Sequence, residues 1–128
     1  MPALTSVAVY DGEDTPVLHT FVPQNMTAGV ASFKETDGVP VGDNILTVSS
    51  SHGTRHKVDI RLRLPQTATQ TVNGVPSEIV TRTIYATVRF DYPSDSTEQE
   101  RDNASEIISN LLKQATMKTV VVGLSDFY

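Results

Sequence analysis

Cysteine is absent from this chain of 128 residues, which excludes a disulfide framework, a thiolate nucleophile and a zinc–thiolate site. Long apolar runs are absent too. None approaches the roughly 18 to 20 residues that a bilayer span requires, so no membrane partner is expected. The opening stretch MPALTSVAVYDGED has no basic n-region and soon meets acid, unlike a secretory signal, and the chain reads as made in the cytoplasm. The motifs of common small-molecule chemistry are also missing: there is no GxSxG, P-loop or GxGxxG.

Histidine is scarce, with three residues. His52 and His56 flank the turn SHGTR, and a four-residue spacing gathers a metal on a helix, which this turn is not. They read as exposed turn histidines, and His19 lies on a predicted strand with no carboxylate or thiol placed beside it by the sequence. No nucleophile and base come together, so the expectation is a protein that is not an enzyme and holds no metal or cofactor. The sequons at Asn25 and Asn103 are read as chance matches.

Basic charge is in deficit overall, with a net charge of −5, but it is unevenly spread. Between Asn44 and Phe90 six basic residues face two acids, Asp59 and Glu78, while the rest of the chain holds four basic and thirteen acidic groups. A basic middle in an acidic whole suits a molecule with one surface toward a polyanion and another toward water or protein.

What is present in quantity is alternation. LTSVAVY (4–10), PVLHTFV (16–22), VASFK (30–34), NILTVSSS (44–51), KVDIRLRL (57–64) and RTIYATVRFDY (82–92) read as strands. The first two form an N-terminal hairpin. QNMTAG and TDGVPVGDN read as connections, Pro65 as the end of its strand, and 66–81 as a hairpin excursion centred on Asn73-Gly74. The period then changes. In 96–115, Ala104, Ile107, Ile108, Leu111, Leu112 and Ala115 fall at helical spacing on one stripe, after a capping-box start at Ser96/Gln99 or Thr97/Glu100. KTVVVGLSDFY (118–128) is ambiguous between strand and helix. The pattern is α+β in a chain of one-domain length. One helical stripe is too narrow to cover a five-stranded sheet, since strands lie about 4.8 Å apart and a helix is roughly 10 Å across; the monomer needs a partner's helix.

The strands place Val58, Ile60, Leu62 and Leu64, with Ile84, Ala86, Val88 and Phe90, on one face. The other face combines Thr47, Ser49, Ser51, Lys57, Asp59, Arg61, Arg63, Tyr85, Thr87 and Arg89. Cations neutralise phosphates, hydroxyls donate to phosphate oxygens and base edges, and a tyrosine offers an unpaired base a stacking surface. An exposed sheet face is also commonly Thr, Ser, Lys and Arg simply because these solvate well.

The order of elements, PQTATQTVNGV (65–75), RTIYATVRFDY (82–92), the STEQER helix start, TFVPQNMTAGVASF, DGVPVGDN and the terminal Tyr128 resemble the coat proteins of the small single-stranded RNA bacteriophages, the levivirus group. The resemblance spans essentially the whole chain. It implies a single coat-protein domain over 1–128: an N-terminal hairpin, a five-stranded antiparallel sheet and two C-terminal helices. It further implies an interlocked homodimer with a ten-stranded sheet, which would answer the coverage problem through Ile107, Ile108, Leu111 and Leu112. The implied function is that of a major capsid protein, whose dimers build an icosahedral shell of T=3 type around single-stranded viral RNA. The same protein would bind an RNA hairpin operator, repressing replicase translation and directing packaging. The implied location is the virion, after synthesis in the host bacterial cytoplasm.

Carried over residue by residue, the resemblance implies RNA contact at Val30 (wall of an adenine pocket), Thr47, Ser49, Ser51, Lys57, Asp59, Arg61, Arg63, Tyr85 (base stacking), Thr87 and Arg89. It implies contacts between subunits through Thr71, Val72, Asn73, Gly74, Val75 and Pro76. This sequence departs from the family's pattern at Ser51, Asp59, Thr87 and Arg89. The alternative is a β-rich RNA-binding translational repressor that never assembles; it shares the basic face but has no use for the 70–77 loop.

Overall fold

The structure, a computed structural model, describes residues 4–35 and 42–127. Most of the TDGVPVGDN connection and the terminal Tyr128 lie outside the described residues. The chain divides into two compact units, Met1–Asp91 and Tyr92–Tyr128.

The first unit is an antiparallel sheet built in chain order from β1 (Val7–Tyr10), β2 (Leu18–Thr27), β3 (Val30–Glu35), β4 (Asn44–His52), β5 (Arg55–Val72) and β6 (Val75–Pro93). Six strands are observed where a hairpin plus a five-stranded sheet was expected, because β2 serves both. Its residues Leu18 to Phe21 pair with β1, and Val22 to Thr27 pair with β3.

Three other expectations are corrected. Gln24 to Thr27 belong to β2 and are not loop: the register shifts between Pro23 and Asn25, a bulge that absorbs Gln24, and the true turn is Ala28-Gly29, both at positive φ (52° and 81°). Pro65 does not end its strand. The β4–β5 ladder stops at Arg63, so a missing N–H two residues later leaves no bond to β4 unmade. Residues 66–81 are the continuation of two long strands, with Ser77 Oγ donating to Gln70 O at 3.4 Å and Thr81 Oγ1 to Gln66 O at 3.1 Å across them. Their many threonines and valines sustain extended backbone. The reversal takes only two residues, Asn73 (φ 53°) and Gly74 (φ 77°), the pair of left-handed conformations that a tight hairpin of matching twist requires.

Cross-strand pairing sorts the faces. Ala31, Val48 and Ile60 form one row and Phe33, Leu46 and Leu62 the next. The rows Val30–Ser49–Asp59 and Ser32–Thr47–Arg61 belong to the opposite face.

The second unit holds α1 (Glu98–Lys113) and α2 (Ala115–Val121). Of the two capping choices the chain takes Thr97, whose hydroxyl accepts from the Glu100 N–H at 3.2 Å, while Glu98 and Glu100 sit at the positive end of the helix dipole. Gln114 is extended and its N–H returns to Leu111 O at 3.1 Å, so the periodic stretch 96–115 ends there and α2 follows as the second of the two expected C-terminal helices. The ambiguous segment 118–128 is resolved: Lys118 to Val121 complete α2, and no regular element follows among the described residues.

Among the described residues, Phe21 and Phe33 are the only buried hydrophobic side chains. Ile107, Ile108, Leu111 and Leu112 are 64, 39, 39 and 48% exposed, so the helical stripe read from the sequence is apolar and uncovered in the single chain. No helix among the described residues is long and apolar enough to cross a membrane.

Candidate nucleic-acid interface

The sheet face opposite the Phe33–Leu46–Leu62 row gathers the residues that alternation placed there. The antiparallel register sets Val30 against Ser49 and Ser49 against Asp59, Thr47 against Arg61, and Ser51 against Lys57. β6 lies beside β5. Thr47, Arg61, Arg63, Tyr85 and Thr87 line one shallow hollow of about 210 Å³, and Arg89 reaches Asp59, so all the predicted face residues from Val30 to Arg89 fall on this surface. Tyr85 is 72% exposed, which leaves its ring free to stack.

The electrostatics divide the cations into two sets. Arg89 Nε lies 3.6 Å from Asp59 Oδ1, and Arg55 Nε donates to Asp91 Oδ1 at 2.6 Å. Arg55's hydrogen bond, with smaller pulls from Lys57 and Arg89, holds the Asp91 carboxyl below the usual carboxylate range. Lys57, Arg61 and Arg63 have no ion-pair partner among the described residues. The face therefore presents three cations outside any ion pair beside an open tyrosine.

Two face members were not singled out from the sequence, although the alternation of VASFKE carried the signal. Ser32 opposes Thr47, and Lys34 opposes Ile45 while approaching the buried Asp43 at 3.4 Å. His19 was also misjudged. Its Nδ1 is 2.7 Å from Glu35 Oε1 and its Nε2 is 2.7 Å from Asp11 Oδ2. Glu35 further accepts from Asn44 Nδ2 (2.8 Å) and the Thr20 N–H (3.0 Å). These partners come from other strands and a turn, a juxtaposition that only the sheet register creates. Glu35 and then Asp11 raise the His19 pKa.

The predicted inter-subunit residues are placed at one tip: Thr71 and Val72 end β5, Asn73-Gly74 turn, and Val75 and Pro76 begin β6. Val72 and Val75 are 53 and 64% exposed there.

Residues 2–128 match the family described as Levivirus coat protein. The chain is 38% identical over 130 residues to the capsid protein of Pseudomonas phage PRR1, covering 98% of both. In fold it is similar to a chain of the solved virus-like particle of bacteriophage ESE058, with a TM-score of 0.87 at 20% identity over 99% of this chain and all of that one. It is also similar to a solved chain described as an unassembled virus coat protein dimer and bacteriophage RNA-binding dimer, with a TM-score of 0.69 at 21% identity over 98% of each. The chain belongs to the levivirus coat protein family.

Proposed function

We propose that this chain is a major capsid protein that dimerises, assembles into an icosahedral shell around single-stranded viral RNA, and binds an RNA hairpin through its polar sheet face to repress translation and direct packaging. The observation that carries the RNA reading is the sorting of the sheet: Lys57, Arg61 and Arg63 without carboxylate partners, flanked by hydroxyls and the open Tyr85 ring, all on one face. Cations supply the salt-dependent attraction to phosphate, and the ring supplies stacking on an unpaired base.

Dimerisation is supported by what the single chain leaves uncovered. A chain of this length is long enough to bury a substantial core, yet only two hydrophobic side chains are buried among the described residues. The α1 stripe is exposed, and Val9, Phe21, Leu62 and Leu64 border a hollow of about 520 Å³. A second copy's apolar stripe fits that need. The relatives described as capsid protein and as an RNA-binding dimer support the same reading.

Expression followed by size-exclusion chromatography and electron microscopy tests it. Shells containing RNA are expected, with dimers as the smallest folded species. A folded 13.9 kDa monomer would overturn the proposal, and an RNA-binding dimer that never assembles, even with residues 70–77 intact, would favour the repressor module.

A further inference from the structure

At the end of the β4–β5 hairpin, His52 and His56 are directly opposed across the ladder. Their Nδ1 atoms lie 2.9 Å apart, and the rings meet edge to face with centroids 5.0 Å apart. His52 ends β4 and His56 is the second residue of β5, so three residues, Gly53, Thr54 and Arg55, lie between them. The sequence spacing suggested a metal pair only on a helix, but a hairpin whose paired residues enclose three others brings positions i and i+4 face to face just as well.

The geometry points to a binding site for a late first-row divalent cation, Cu²⁺ or Ni²⁺, formed by His52 Nδ1 and His56 Nδ1. Two nitrogens each about 2.0–2.1 Å from one ion are about 2.9 Å apart at the right angle of a square-planar centre, and about 3.3 Å apart at a tetrahedral angle. The observed separation, now held by a hydrogen bond, also equals that of neighbouring corners of a square. One Nδ1–H now donates to the other Nδ1; with the ion bound, that proton sits on Nε2 and both Nδ1 lone pairs turn to the metal. The partly exposed rings at the hairpin's end allow the small rotation this needs.

The surroundings select the class of ion. Among the described residues no group of three or more histidines, cysteines, aspartates or glutamates is placed to hold a metal ion, the cluster of Asp11, His19 and Glu35 being closed by its own hydrogen bonds, so a hard cation such as Ca²⁺, which takes six to eight oxygen ligands, has no cage here. Arg55 and Lys57 are near in sequence, but Arg55 is tied to Asp91 and Lys57 opposes Ser51 on the other face. Imidazole nitrogens bind copper and nickel without carboxylate help, and water completes the coordination. The ion would pin β4 to β5 at the hairpin's open end.

Titration of the purified full-length protein with CuCl₂, followed by calorimetry and by electron paramagnetic resonance, tests the site. One ion per chain is expected, with hyperfine splitting from two nitrogens. Either His52→Gln or His56→Gln should weaken binding about a hundredfold, because each leaves a single ligand and forfeits the gain from linking two. His19→Gln should leave it unchanged, since that ring is already engaged by two carboxylates. Binding retained in both His52→Gln and His56→Gln, or a wild-type spectrum with one nitrogen or none, would overturn the proposal. The spectrum reads the site even if a variant fails to fold.

Discussion

Arg89 lies across from Asp59, with Nε 3.6 Å from Oδ1, so the acid in the middle of the basic face is answered by a cation from the next strand. The resemblance sets each of these residues apart from the family's pattern, and a pairing of the two would account for both together. Asp59 gives an extra cation on β6 a local partner, and the net positive character of the face then rests on Lys57, Arg61 and Arg63. Asp59→Asn should therefore release Arg89 toward phosphate and tighten RNA binding, with the slope of log affinity against log salt steepening by about 0.7 to 0.9. The effect on folding should stay within about 1 kcal/mol, since Arg89 is more than half exposed and such pairs are well screened. Filter binding of dimers to an RNA hairpin at several salt concentrations measures the first effect. A shallower slope in the variant would mean that Asp59 itself contacts the RNA.

Arg61 and Tyr85 line the same hollow but should fail in different ways. Arg61→Gln should flatten the salt slope by about 0.7 to 0.9 and weaken all RNAs alike. Tyr85→Ala should cost about 1 to 3 kcal/mol, concentrated on hairpins with an unpaired base, and leave the slope unchanged. Affinity for such hairpins that is unaltered by Tyr85→Ala would remove the ring from the interface.

How much of this was legible in sequence depends on the range of the interaction. Strand faces were readable because side-chain alternation is local: KVDIRLRL and NILTVSSS sort themselves, and the register confirms Thr47 against Arg61. The helix stripe was readable for the same reason at a different period. The extent of β5 and β6 was not, because Pro65 and the polar Thr-rich stretch look like strand breakers until it is clear that the β4–β5 ladder has already stopped at Arg63. The ion pairs of Asp59 and Asp91, and the clasp around His19, join residues 8 to 36 positions apart. No local rule announces them.

That clasp should make stability depend on pH. The His19 pKa is raised by its hydrogen bonds to Glu35 and Asp11, so its contribution is fully present below the ordinary value of 6.5 and is lost as pH rises through the higher folded value. Asp11 is lowered by the Val17 N–H and by His19. Partial burial pushes Glu35 up, but the hydrogen bonds from His19 and Asn44 outweigh it and its net shift is down. Their contributions are present above the ordinary values of 3.8 and 4.5 and are lost as pH falls through the lower folded ones. The network should be strongest between about pH 4.5 and 6.5. Thermal midpoints measured from pH 3 to 9 should show the wild type losing stability on both sides of that window relative to His19→Gln. Parallel profiles for the two proteins would show that the clasp does not contribute.

Two glycines at nearly the same positive φ should respond unequally to the same change. Gly74, at 77°, turns in open space, with nothing within 4 Å of an added Cβ. Gly74→Ala therefore meets only the left-handed backbone penalty of about 1 to 2 kcal/mol. Gly29, at 81°, faces the Ser50 carbonyl oxygen 2.8 Å from where a Cβ would stand, and its own carbonyl accepts the Ser50 N–H at 3.1 Å. Gly29→Ala must bear the same penalty and also push the β2–β3 turn off β4. Its thermal midpoint should fall well below that of Gly74→Ala, whose own drop should be about 3 to 12 °C. Gly74→Ala should still assemble if the Asn73-Gly74 tip acts through its shape, whereas Gly29→Ala should give a smaller yield of folded dimer. Equal midpoints for the two variants would show that the Ser50 carbonyl yields without cost.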